Sequence, residues 1–156
     1  MIGAMPEPAL LLILIVLGAS VGSFLNVVIW RVPRGESIIA PSSHCPSCNT
    51  HIAPYDNIPL ISWLILGGKC RHCKNKISSR YFIVEFITGL FTVIMITIYG
   101  ISPLLSINLI LMYMLIAIAY IDFDHYIIPN QFILLGIGLV FFAHVFDWLP
   151  ISKVDG

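Results

Sequence analysis

The sequence predicts an all-α polytopic membrane protein of about four transmembrane helices, with a polar module between the first and second. Three observations predict it. Of its 156 residues, 58% are hydrophobic and only 10% charged, whereas a soluble domain carries about a quarter charged residues. Several apolar runs approach the roughly 20 residues that a helix needs to cross a bilayer. Finally, Arg31, Arg34, Lys69, Arg71, Lys74, Lys76 and Arg80 fall in one stretch, leaving only Lys153 outside it. A crossing segment must satisfy its own backbone hydrogen bonds, so helices are the expected spanning form. The basic residues form no dense run, and the cation content is low, so nucleic acid is not expected as a partner.

Helix one is expected over about 8–30. The residues ahead of it, Met1 to Glu7, contain no Lys or Arg, unlike the basic start of a signal peptide, so it is read as a retained crossing. Gly18, Ala19, Ser20, Gly22, Ser23 and Asn26 make one part of it small and polar. Small residues let helices approach closely, and Asn can bond across an interface, so these positions are read as packing.

Residues 31–80 form the polar segment, with seven of the eight Lys and Arg and all four cysteines. By the positive-inside rule it is cytoplasmic and the N-terminus lies outside. Helix two is expected from Tyr81 to Tyr99, followed by an outer turn at Gly100, Ser102 and Pro103. Helix three is expected from Leu104 to Ile121, and the segment Asp122 to Asn130 is read as a polar break containing a Pro. Helix four is expected from Gln131 to Trp148, with the last eight residues emerging outside. Asp147 and His144 read as interfacial anchors beside Trp148. No internal repeat is apparent. The expected division is a first transmembrane helix (1–30), a cytoplasmic metal-binding domain (31–80) and a truncated membrane region (81–156).

The cysteines carry the clearest chemistry. Cys45-Pro-Ser-Cys48 and Cys70-Arg-His-Cys73 are two CxxC pairs with 21 residues between them. One tight turn can present both sulfurs of such a pair to one metal, and two such turns complete a tetrahedral S4 site that suits zinc. A loop of this size has little core of its own, and a structural metal is a common remedy. Disulfides are disfavoured in a cytoplasmic loop, and a redox CxxC is expected in a βαβ context that is missing here. His44, His51 and His72 could substitute as ligands, but four cysteines already fill the shell.

Asp122 and Asp124 lie at the cytoplasmic end of helix three. Ionisable residues at membrane depth are costly and often mark function, yet an acidic pair before a Pro is also how a helical hairpin turns back. Residues i and i+2 of a helix do not face each other, so these two are a poor aspartic dyad, which needs carboxylates about 3 Å apart. A partner for Asp122 should come from another segment. Glu85 lies at a similar depth and reads either as an interfacial residue or as one with a polar partner.

GSFLNVVIWRVP (Gly22 to Pro33), CPSC, YDNIPLISWLILGGKCRHC (Tyr55 to Cys73), ISSRYFIVE (Ile77 to Glu85) and IDFDHYIIPN (Ile121 to Asn130) follow one another in order. Together they resemble the type IV prepilin peptidases, membrane enzymes of the bacterial inner membrane. The resemblance implies aspartic-type removal of the basic leader from prepilins or pseudopilins of type IV pili and type II secretion at the cytoplasmic face. It also implies N-methylation of the new terminus from S-adenosylmethionine. It maps one catalytic aspartate to Asp122, associates Gly68 with methyl transfer, and places the four cysteines in the cytoplasmic domain. Asn130 stands where the family commonly has Asp. The second catalytic aspartate belongs to a GxGDxK motif that does not occur up to Gly156. The chain is therefore read as an N-terminal portion, expected not to complete the reaction alone. Two other readings are a non-catalytic membrane adaptor whose zinc module binds partner proteins, and a thiol oxidoreductase.

Overall fold

The computed structural model describes residues 8–146 and Trp148. Among them the regular structure is helical, with no strand. Helix α1 spans Pro8–Arg31, α2 Ile61–Ile65, α3 Ser79–Tyr99, α4 Pro103–His125 and α5 Asn130–Val145. Three of these, α1, α3 and α4, are long and apolar enough to cross a membrane. The shorter α5 is 16 residues long and also apolar.

The sequence explains where these helices start and stop. The Ser78 hydroxyl accepts from the Arg80 amide and caps α3. Ser102 accepts from the Leu105 amide and caps α4, with Pro103 in the first turn, where its missing N–H costs nothing. Gly100, at φ 60°, ends α3. One boundary differs from expectation: α4 does not break at Asp122 but runs on to His125. No breaker stands between those residues. The turn closes only where Tyr126, in the left-handed region at φ 56°, donates its amide to the Asp122 carbonyl at 2.8 Å. Helix α5, expected to run to Trp148, ends three residues earlier at Val145, and Phe142, Phe146 and Trp148 cluster there. Asp147, the first seven residues and the last eight lie outside the described residues.

Helices α1 and α3 pack most closely, and small residues are the reason. A Cβ added at Gly22 would stand 2.7 Å from the Glu85 Cα, and one at Gly18 would stand 2.9 Å from the Gly89 Cα. The Asn26 side-chain amide donates to the Tyr81 carbonyl at 3.1 Å. These contacts fix an antiparallel register in which Gly18, Gly22 and Asn26 face Gly89, Glu85 and Tyr81. Backbones meet this way where dispersion, rather than exclusion of water, drives association. Helix α4 joins the pair through a core of Leu25, Val28, Ile29, Val84, Ala117 and Ile121. The Tyr113 hydroxyl also meets the Thr92 hydroxyl at 2.8 Å. Helix α5 packs chiefly on α4, and Phe132 reaches the core from it.

Candidate metal centre and acidic helix end

Each cysteine pair sits on a tight turn built the same way. The Cys45 amide donates to the Thr50 carbonyl, Asn49 to Cys45, and Ile52 to Ser43. In the second turn Cys70 donates to Asn75, Lys74 to Cys70, and Ile77 to Gly68. Every bond of one turn maps onto the other at an offset of 25 residues, including left-handed Asn49 and Lys74. The paired bridges His44 with His51 and Lys69 with Lys76 obey the same offset. The sequence conceals this repeat because backbone bonds carry it, and apart from the cysteines few side chains match.

The four sulfurs converge, with the potential ligand atoms all within 4.8 Å of one another. Cys45 and Cys73 approach to 3.8 Å, and Cys48 and Cys70 to 4.0 Å. A regular S4 site with Zn–S bonds of 2.3 Å has sulfurs about 3.8 Å apart, so the cysteines fit a tetrahedral metal. None forms a disulfide. Hydrogen bonding to the Thr50 side chain and backbone holds the Cys48 thiol low, at about 6. Backbone amides of Cys73 and His72 lower Cys70 as well. Cys73 is pulled down by the Asn75 amide, but burial and the three neighbouring sulfurs outweigh it and push it up to about 11. Four thiolates at this spacing repel one another unless a cation sits among them, which is the condition a metal meets. The three histidines make no part of this cluster.

The second turn is tied to its surroundings. Arg71 forks onto Asp56, its Nε donating to Oδ2 at 2.8 Å and an Nη to Oδ1 at 2.6 Å. The Arg71 fork holds the Asp56 carboxyl below its ordinary value. Gly68 is buried in the left-handed region at φ +64°, and a Cβ there would stand 2.8 Å from the Trp63 ring. Trp63 packs in turn on Phe82 of α3, with ring centroids 5.2 Å apart.

Glu85 has the polar partner that was one of its two readings. It is 8% exposed, and its Oε2 accepts the Leu60 amide at 2.8 Å. Leu60 lies at φ 62°, ψ −52°, and Ile61 donates to Pro59 across it at 2.6 Å. That is the rare, strained γ-turn, held in place by a buried carboxylate.

At the end of α4 the two aspartates have separate fates. Asp124 pairs with Arg80 of α3. Asp122 is exposed and has no ion-pair partner among the described residues. Arg80 went unrecognised in the sequence as a site residue. It is the one cation inside the first turn of an apolar helix that starts on the same side as Asp124, a signal that orientation alone could have exposed. The Asp56–Arg71 fork left no such trace.

A multi-pass helical membrane protein with a four-sulfur centre beside its helix ends is the class these features define. The Bacterial Peptidase A24 N-terminal domain matches residues 16–99. The prepilin leader peptidase/N-methyltransferase of Myxococcus xanthus is 46% identical over 138 residues, covering 86% of this chain and 41% of the relative. A type 4 prepilin-like proteins leader peptide-processing enzyme of Escherichia coli is 42% identical over 133 residues, covering 74% and 49%. The Pseudomonas aeruginosa prepilin leader peptidase/N-methyltransferase is 36% identical, covering 85% and 54%. No solved structure matches the chain. The chain belongs to the bacterial prepilin leader peptidase/N-methyltransferase family, and it spans about half the length of these relatives.

Proposed function

We propose that this chain is the zinc-bearing N-terminal part of an aspartic-type prepilin peptidase. On this reading the intact enzyme removes the basic leader of a prepilin or pseudopilin at the cytoplasmic face of the inner membrane. The observation that carries it is the division of labour at the end of α4. Arg80 occupies Asp124 and leaves Asp122 exposed, at the position where family resemblance puts a catalytic aspartate. Aspartic hydrolysis needs one carboxylate as general base on water and another as acid toward the amide. Glu85 is engaged by the Leu60 amide, and the family resemblance puts the second carboxylate in a further segment of the enzyme.

The three proposed parts are the first crossing (1–30), a cytoplasmic module (31–80) and the peptidase region (81–156), with the N-terminus outside. Cys45, Cys48, Cys70 and Cys73 would hold zinc, which would brace a segment poor in core. The names of the relatives support methylation of the freed N-terminus, with S-adenosylmethionine as the proposed donor. Gly68 would serve that step through its backbone, because its buried, left-handed position leaves room for Trp63.

Leader removal followed by mass spectrometry tests the peptidase reading. Full-length enzyme containing this chain should cleave a prepilin, and Asp122→Ala should abolish cleavage. The 156-residue chain alone should not cleave. Cleavage by it, lost in Asp122→Ala, would overturn the claim that a further segment is needed.

A further inference from the structure

We propose that α2 is an interfacial helix, inserted into the boundary between headgroups and acyl chains through Ile61, Leu64 and Ile65. The inference rests on α1, α3 and α4 crossing the bilayer and is independent of the peptidase reading. The three side chains stand at i, i+3 and i+4, on one face of the helix. They are 49%, 59% and 74% exposed. Beside that face Ser62 is buried, accepting from the Ile58 amide and donating to the Tyr55 carbonyl.

The depth of this face decides what covers it. The ion pair between Arg80 and Asp124 joins the first turn of α3 to the last turn of α4 and sets the level of their shared ends. Glu85 lies five residues further into α3, about 7–8 Å along its axis at 1.5 Å per residue. The Leu60 amide, immediately ahead of α2, is hydrogen-bonded to that carboxylate. Gly22 of α1 lies at the same level. Trp63 of α2 packs on Phe82, which stacks in turn on Phe86. The short helix therefore runs beside the membrane-embedded turns of α3, not above them. An amphipathic helix at an interface buries its apolar face about 5–10 Å into this boundary, which is the depth reached here. Exposed Lys69, Lys74 and Lys76 follow directly after α2 and suit anionic headgroups. Burial of Glu85 fits the same picture: a carboxylate at this depth needs a donor, and a segment that dips into the interface brings the Leu60 amide to it.

Depth-dependent fluorescence quenching tests the proposal. The full chain, with Trp30, Trp63 and Trp148 replaced by Phe, would carry a single new tryptophan as Ile65→Trp or Ser47→Trp. Both would be reconstituted in phosphatidylcholine–phosphatidylglycerol vesicles with acyl chains brominated near the headgroup or near the bilayer centre. Ile65→Trp should lose at least about half its emission to shallow bromines and less to deep ones, as an interfacial side chain does. Ser47→Trp, on the first cysteine turn, should be quenched little by either. Equal quenching at the two positions, or none at 65, overturns the proposal. A photocrosslinking residue at 65 in the chain with its native tryptophans gives a second reading, free of the background substitutions. It should capture lipid, and capture of protein alone overturns the inference.

Discussion

The two cysteine turns share one backbone but not one environment. Their hydrogen bonds superpose at an offset of 25 residues and each supplies two sulfurs. The first turn leads from a loop without regular structure, and Arg31 holds that loop by donating to the Ser37 and Pro41 carbonyls. The second is braced by Arg71 on Asp56, by Gly68 under Trp63, and by Ile77, which leads straight into α3. The difference teaches that ligand geometry is a local property of the CxxC turn. Placement of the centre against the membrane helices comes chiefly through the second turn, the first being tied only through Arg31 of α1 to the loop ahead of it.

The largest effect should treat the turns alike. Cys48→Ser and Cys73→Ser should each abolish stoichiometric zinc and disorder the module, because binding free energy of a structural zinc is folding free energy. Metal analysis beside amide exchange over 43–77 checks this, and retention of zinc by either variant breaks the equivalence.

The next effect should separate them. Gly68→Ala places a side chain at φ +64° and 2.8 Å from Trp63. The left-handed backbone alone costs roughly 1–2 kcal/mol, and the contact adds to it. Its counterpart at the same offset, Ser43→Ala, should be near neutral. Thermal unfolding of the zinc-loaded protein in detergent measures both, and equal losses would contradict the asymmetry.

The Arg71 fork gives a smaller effect with a defined pH signature. Asp56→Asn should lower the melting temperature, more at low salt than at high. Because the folded carboxyl titrates below its unfolded value, its contribution is present above the ordinary Asp value of about 3.9. It is lost only as pH falls through the depressed folded value. The difference between parent and variant should therefore stay flat from about pH 8 to pH 5, and a decline within that window would argue against the fork.

The smallest effect is a gain. Lys74 and Asn49 occupy the same left-handed position, but Asn tolerates it better than Lys. Lys74→Gly should stabilise by about 1 kcal/mol and Asn49→Gly by a few tenths. A reversed order would mean that the Lys74 side chain makes an unrecognised contact.

Much of this architecture was legible because it is written in residue types. Composition and run length exposed the crossings, and CxxC spacing exposed the sulfur cluster. Small residues at Gly18 and Gly22 marked a packing face on α1, and the structure supplies its partner, α3. What escaped notice depends on partners distant in sequence or on backbone shape. Glu85 finds an amide 25 residues away on an unremarkable leucine, and Arg80 finds Asp124 across 44 residues. The γ-turn at Leu60 uses no glycine, so no local code announced it. The extra turn of α4 beyond Asp122 depended on where a left-handed residue would fall, and Tyr126 is an unusual choice for it.

The close register of α1 and α3 has a consequence for the module between them. Gly18 and Gly22 clamp the two helices together, so the stretch from Val32 to Ser78 is a closed loop before any metal arrives. Much of the entropy lost in bringing distant cysteines together is thus borne by helix association in the bilayer. The same cysteines in an excised peptide would have to search from an open chain. Zinc affinity measured on such a peptide would understate that of the anchored protein, and mutations in the helix clamp would weaken metal binding without touching a ligand.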